Sequence, residues 1–324
     1  MALSPEMLLS LTANKRYSQL IVDLYNDIGD NQHRNQVANC CNDVFVNQNG
    51  EFFQTFFCKN RFCPICSERK SQFLYARTIN IVKEMLSQGY AFISCTLTVP
   101  NPKGEDLRSC VKNMIRAYQL LFGSSGKNAF PAVKGTLRNL EISYNAKEKN
   151  FHPHLHCLLC VDREYVKLHD KHPLFFTGEQ VAKRWSECLG YTAIDVDLQY
   201  IKTYGKTLER AIAEFTKYAL KHEDFQALYE NSPAEAAEAF RYLTKAFYRV
   251  CQFFFTGIMR KYASQFSLEE YKNFHFIQFI QDNETITYYQ WIPCTVEYLY
   301  LYEFTPQYYK YKYEHNFIHP GGYV

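Results

Sequence analysis

Three histidines at alternate positions, His152, His154 and His156, sit in the apolar, β-prone run Phe151–Val161. In an extended strand alternate side chains leave on one face. The three imidazoles then point together, while Pro153, Leu155, Cys157 and Leu159 pack the other way. Imidazoles gathered on one face suit a divalent metal. The run Gly135–Tyr144 also alternates, and the turn-prone Asn145–Asn150 separates the two. A symmetric hairpin about that turn sets Glu141 opposite His154, on the same face of the sheet. Two imidazoles and one carboxylate hold a cation and leave positions open for substrate oxygens. The plainer alternative is a strand of core histidines with hydrogen-bond partners. It suits a lone histidine better than three at period two facing a glutamate.

A second group is made of cysteines. Cys58-Lys-Asn-Arg-Phe-Cys63-Pro-Ile-Cys66 offers two thiolates at the spacing of a zinc knuckle and a third just before it. A hairpin from Val44–Val46 through Asn47–Gly50 to Phe52–Phe57 brings the chain back to Cys40-Cys41. The fourth ligand is one of these two; Cys41 is the one chosen, with Cys40 the alternative. Buried free thiols and a redox CxxC are the competing readings, but four clustered cysteines favour structural Zn²⁺.

A third group lies on a helix. In Leu208–Lys221, Leu208, Ile212, Phe215 and Ala219 form an apolar stripe at helical spacing. Glu214, Tyr218 and Lys221 fall at i, i+4 and i+7 on one polar flank. Alone, such a flank is more often a charged surface with a half-buried tyrosine.

These groups need elements to position them. Strands are expected at Ala91–Val99, Gly135–Tyr144, His152–Val161 and Ala193–Tyr200, forming a central antiparallel sheet with helices on one face. Helices are expected from Ser67 to Asn80, Asp106 to Leu121 and Gly178 to Leu189, with a longer helical stretch from Pro233 through Lys261. Residues 1–35 read as an amphipathic helical segment without visible function. Arg61, Arg69, Lys70 and Arg77 are candidate phosphate contacts, though such a basic face is more often solvated. Gly123–Asn128 tempts a phosphate-loop reading but lacks the spacing and the Ser/Thr after its lysine. The Tyr-rich end, Thr285–Tyr313, with Lys310 and Lys312 interleaved, could stack bases; packing of a sheet is the favoured reading.

Composition narrows the class. At 324 residues, with 47% hydrophobic and 21% charged residues, the chain has ample material for a globular core. Its net charge of +3 means that any nucleic-acid surface must come from local patches. The start lacks a secretory pattern and no apolar run is long enough for a membrane helix, so a cytoplasmic protein without a membrane partner is expected. There its twelve cysteines are thiols or metal ligands, not a disulfide framework.

Three motifs in order now resemble one family, the single-tyrosine HUH endonucleases, specifically the rolling-circle replication initiators of small bacterial plasmids. Ile93-Ser-Cys-Thr-Leu-Thr-Val-Pro-Asn101 is similar to their first motif, His152-Pro-His-Leu-His156 to the second and Glu214-Phe-Thr-Lys-Tyr-Ala-Leu-Lys221 to the third. Cys58–Arg69 resembles the family's cysteine-rich stretch. The likeness covers residues 40–225, with a weaker echo at Phe247–Arg260. Cys95 in the first motif and the doubled Cys40-Cys41 depart from the pattern.

The resemblance implies an α+β fold: an HUH-type central antiparallel sheet with flanking helices, an N-terminal zinc-binding module and a C-terminal aromatic-rich α/β extension. The divisions are 1–35, a zinc module at 36–80, a catalytic domain at 81–225 and a C-terminal region at 226–324 for DNA binding or packing. It implies nicking of one strand at a plasmid origin, with the 5′ end kept on a tyrosine, a 3′-OH left as primer, and rejoining or release at termination. Carried over, Tyr218 is the nucleophile and Glu141, His154 and His156 hold a catalytic Mg²⁺ or Mn²⁺. His152 is a ligand, a support to the ligands, or a phosphate contact. Lys221 neutralises developing charge or lowers the tyrosine pKa, and Glu214 orients a water or second strand. Implied partners are single-stranded or hairpin origin DNA and the host helicase and replication proteins. Oligomeric state is not legible. Rival readings are a single-tyrosine HUH transposase or relaxase, and a non-catalytic zinc-bearing DNA-binding protein.

Overall fold

The computed structural model describes residues 5–46, 52–123, 129–192, 195–201, 206–216, 222–266, 286–295 and 297–304. In chain order, helices α1 (Pro5–Asp27) and α2 (Asn31–Ala38) precede a hairpin of β1 (Asp43–Val46) and β2 (Phe52–Thr55). Then come α3 (Pro64–Ser87), β3 (Tyr90–Thr98) and α4 (Gly104–Phe122). The long hairpin β4 (Gly135–Asn145) and β5 (Asn150–Asp162) leads to α5 (Arg163–Leu168), α6 (Gly178–Leu189) and β6 (Val196–Tyr200). Next are α7 (Lys206–Phe215), α8 (His222–Asn231), α9 (Pro233–Phe247), β7 (Phe253–Thr256) and α10 (Gly257–Gln265). Strands β8 (Ile286–Ile292) and β9 (Glu297–Phe304) follow. Ala193 and Ile194, expected to start the β6 strand, and Ser124–Asn128, read as an ordinary loop, lie outside the described residues, as do Lys310 and Lys312. No helix among the described residues is long and apolar enough to cross a membrane.

The chain divides into two compact units, Ser67–Ser267 and the pair of segments Met1–Cys66 with Leu268–Val324. In the first, five strands run in the order β6-β3-β5-β4-β7, every neighbour antiparallel. The β4–β5 turn is tied by Asn145, whose side-chain oxygen accepts from the Lys147 and Glu148 amides at 3.1 and 3.2 Å.

Helices cover both faces of this sheet, where the sequence suggested one. On one face Ile81, Val82 and Met85 of α3, Leu208, Ile212 and Phe215 of α7, and Met259 and Ala263 of α10 bury Phe92, Leu137, Leu158 and Cys160. On the other, Tyr118 of α4 hydrogen-bonds Thr136 and Trp185 of α6 donates from Nε1 to the Thr98 carbonyl at 2.8 Å. The reason is that β4 and β5 are apolar on both sides: Leu137 and Leu158 face one way, Leu155 and Cys157 the other, and all are buried. A sheet apolar on both faces needs two covering layers. Helix α6 starts with a Thr177–Gln180 capping box and ends on Gly190 at φ +82°.

In the other unit, four antiparallel strands run β2-β1-β8-β9. Its aromatic residues pack the sheet. Phe45 stacks on Tyr288 at 4.5 Å, and the Tyr288 hydroxyl donates to Asp43 at 2.7 Å. Trp291 lies 5.1 Å from Tyr298, which is itself buried.

Strand β7 was not foreseen in the sequence. It joins β4 where two glycine backbones meet: Ile258 donates to the Lys134 carbonyl at 3.0 Å, and a Cβ on Gly257 (φ +51°) would collide with that oxygen. Gly257→Ala is expected to lower the unfolding free energy by about 1–3 kcal/mol. Urea melts of the two proteins check this; an unchanged midpoint would show that the backbone adapts.

Candidate metal centres

The hairpin register does what the alternation required. Glu141 pairs with His154, Asn139 with His156 and Ser143 with His152. His154 Nε2 and His156 Nε2 converge on one Glu141 oxygen, at 3.3 and 3.1 Å. The imidazole rings lie 4.6 Å apart and nearly perpendicular. Glu141 is 8% exposed. Burial pushes its carboxyl pKa up, but the hydrogen bonds and charges of the two histidines outweigh this and hold it well below the usual range.

The other ring nitrogens bear on what this trio holds. His154 Nδ1 sits 3.2 Å from the His152 carbonyl, which can only accept, so that nitrogen carries a proton. With no second proton on that ring, the lone pair of Nε2 faces a carboxylate oxygen. A cation between them removes that conflict, and ligand spacings of 3.1–3.3 Å match metal–ligand bonds of about 2.1 Å. The residues present therefore fit a divalent ion. Thr96 Oγ1 lies 3.4 Å from His156 Nδ1 and braces that ring, a role the sequence did not signal beyond the threonine's place on β3.

His152 is on the same face but one ladder step further along. Its ring is 5.2 Å from that of His154, it is exposed, and it stands outside the group of three convergent ligand atoms. It lines a cavity of about 520 Å³ with Asn101, Ser143 and Phe225. Burial and the neighbouring His154 lower its pKa.

Helix α7 ends against this site. The Phe215 ring is 6.5 Å from His156, and Ser71 Oγ donates to the Thr216 carbonyl. Glu214 is on the exposed side of its last turn. Tyr218 and Lys221 lie outside the described residues. Of the basic side chains of α3, Lys70 sits over the Phe253 ring at 5.3 Å, and Arg77 lies over Phe255 and donates to the Ala263 carbonyl. Both are occupied within their unit.

The second centre is in the other unit. The Sγ atoms of Cys40, Cys58, Cys63 and Cys66 lie within 4.8 Å of one another, with Cys40–Cys66 at 3.6 Å and Cys58–Cys66 at 3.7 Å. A tetrahedron of 2.3 Å Zn–S bonds has edges of roughly 3.8 Å, so the group is sized for zinc. The Cys58 amide approaches Cys40 Sγ at 3.5 Å and the Asn60 amide approaches Cys58 Sγ at 3.4 Å. Hydrogen bonds from Cys40, Cys58 and Cys66 pull the Cys63 thiol well below its ordinary pKa. Hydrogen bonds among the thiols, together with burial, leave Cys40, Cys58 and Cys66 raised, because four thiolates this close repel one another unless a cation lies among them.

Cys41 is replaced by Cys40 in this group. Cys41 takes a left-handed backbone, φ +58°, and its amide bonds the Phe56 carbonyl at 2.7 Å. Its Sγ accepts from Thr55 Oγ1 at 3.5 Å. Adjacent side chains at such a turn diverge, so only one cysteine of the pair faces inward.

A family model described as "Replication protein" matches residues 49–309. The chain is 25% identical over 283 residues to "Protein rep" of Streptococcus pneumoniae serotype 2 (strain D39 / NCTC 7466), covering 84% of each. It is 30% identical over 171 residues to "Protein rep" of Staphylococcus aureus, 52% of this chain and 71% of that one. It is 31% identical over 191 residues to "Protein rep" of Bacillus amyloliquefaciens, 54% of each. No solved structure matches.

Cys40→Ser, and the pair Cys63→Ser with Cys66→Ser, are expected to abolish bound zinc, while Cys41→Ser retains it. Metal analysis of the purified proteins measures this. Retention by Cys40→Ser together with loss by Cys41→Ser would reverse the assignment.

Proposed function

The chain belongs to the family of plasmid replication initiators, and we propose that it starts rolling-circle replication by nicking one strand of the origin through Tyr218. The observation that carries this reading is the convergence of His154 and His156 on Glu141 at the place where α7 ends. Tyr218 follows Phe215 by three residues, a span of at most about 11 Å of chain.

In the proposed reaction the Tyr218 phenol oxygen bonds to the scissile phosphorus as the bond from phosphorus to the 3′ oxygen breaks. The phenol gives up its proton and the 3′ oxygen takes one, leaving a 5′-phosphotyrosine and a 3′-OH primer. A phenol with an ordinary pKa near 10 needs help to ionise, and Lys221, three residues on in the sequence, supplies positive charge. Glu141, His154 and His156 hold a divalent cation, Mg²⁺ or Mn²⁺, which when bound polarises the phosphate oxygens. His152 is the next donor along the ladder and suits a phosphate contact. At termination Glu214 takes a proton from a water or an incoming 3′-OH, which attacks the phosphotyrosine and frees the phenol. The substrate is single-stranded or hairpin origin DNA, and host helicase and replication proteins extend the primer. Cys40, Cys58, Cys63 and Cys66 hold a structural Zn²⁺ in the other unit.

Tyr218→Phe keeps the ring and deletes the attacking oxygen. Nicking of labelled origin oligonucleotide should vanish, while DNA binding, set largely by phosphate contacts, persists. Wild-type nicking by this variant would refute the nucleophile. Glu214→Ala keeps the hydroxyl and the cation ligands, so nicking continues and the protein–DNA adduct accumulates on denaturing gels. Normal adduct turnover would refute the role of Glu214 alone.

A further inference from the structure

Lys15 lies on α1, in the segment whose sequence pointed to no function, yet it is 4% exposed. Its ammonium has three donors and all three are used. Nζ donates to the Ala38 carbonyl at 3.1 Å, the Cys40 carbonyl at 2.6 Å and Asn42 Oδ1 at 2.5 Å. Every acceptor is on the segment that carries Cys40, and none is a carboxylate. A buried ammonium held only by neutral acceptors is costly unless an anion is near.

The four-cysteine group supplies one. Four thiolates around one Zn²⁺ leave two negative charges in excess, a few ångströms from the lysine's own acceptor at Cys40. We propose that Lys15 is the positioning residue and internal counter-ion of this centre. It clamps residues 38–42 so that Cys40, not Cys41, faces the other thiols, and its charge offsets that of the metal–thiolate group. The inference rests on zinc occupying the four cysteines.

Two further contacts agree with a centre framed from distant segments. The Tyr25 hydroxyl of α1 pairs with Asn60, whose Oδ1 accepts from the Phe62 amide inside the Cys58–Cys63 loop. The Tyr298 hydroxyl of β9 donates to the Cys41 carbonyl at 2.5 Å. These are neutral supports; Lys15 alone among the three brings charge.

The test uses the full-length protein loaded with Zn²⁺, and separately with Co²⁺ as a spectroscopic probe. Lys15→Met keeps most of the length of the side chain and removes charge and donors; Leu11→Ala, which trims buried packing one turn earlier on the same helix, is the control. Lys15→Met should lose zinc to a competing chelator about 10–100-fold more readily than wild type, the range for groups that orient metal ligands. Its thiolate-to-cobalt charge-transfer bands should shift, whereas those of Leu11→Ala should match wild type. Wild-type chelator resistance and unshifted bands in Lys15→Met would overturn the proposal. Should Lys15→Met fail to fold, amine acetylation of the wild-type protein, read by mass spectrometry, gives a second reading. Lys15 should be protected with zinc bound and modified once the metal is stripped; equal modification in both states would overturn it. If wild type binds no zinc, the centre itself fails and Lys15's role falls with it, a result distinct from zinc bound equally by both proteins.

Discussion

The pairing of Glu141 with His154 is the constraint on which the candidate active site depends. Side chains alternate across a sheet with period two, so a slip of one residue would move the carboxylate to the face opposite the imidazoles. The register is held along the whole hairpin. Asn145 ties the turn at one end, and Gly135, opposite Cys160, admits β7 at the other. Between them the pairs Leu137–Leu158 and Leu140–Leu155 are buried on opposite faces, so neither face could accept a slip without exposing them.

Polarity changes along one sheet face. Near Leu137 and Leu158 the face is roofed by apolar residues of α3, α7 and α10. Two residues on, the same rows present Asn139, Glu141, His154 and His156. The roofing supplies a low-dielectric flank that strengthens electrostatic effects at the carboxylate. Phe215 belongs both to the apolar cluster and to the neighbourhood of His156. Packing of the core thereby fixes where the α7 end arrives.

The cysteine centre follows a different logic. Its unit has one long helix, one short helix and a four-stranded sheet whose halves lie far apart in the sequence. Here order comes from polar cross-links among distant segments, with Lys15, Tyr25 and Tyr298 reaching the two cysteine-bearing loops. A small unit with a limited core gains most from a metal that joins such loops.

Much of this was legible in the residues. The three alternating histidines, the spacing of the turn and the opposed glutamate depend on local periodicity and one short hairpin, and both survive intact in the structure. So do the apolar stripe of α7 up to Phe215, and the aromatic packing of β8 and β9. The membership of Cys58, Cys63 and Cys66 in one thiol group was equally local. What local pattern could not decide was which of two adjacent cysteines turns inward. That depends on a left-handed backbone at Cys41, on Thr55 taking its sulfur, and on a lysine some 25 residues upstream holding the Cys40 carbonyl. Nor could it show that β7 would complete the sheet edge, that helices would cover both faces, or that β8 would pair with β1 from the other end of the chain. Alternation and spacing are properties of a few consecutive residues, carried by the backbone's own period. Partner choice is a competition among segments far apart in sequence, and only the folded chain, with its buried polar groups satisfied, decides it.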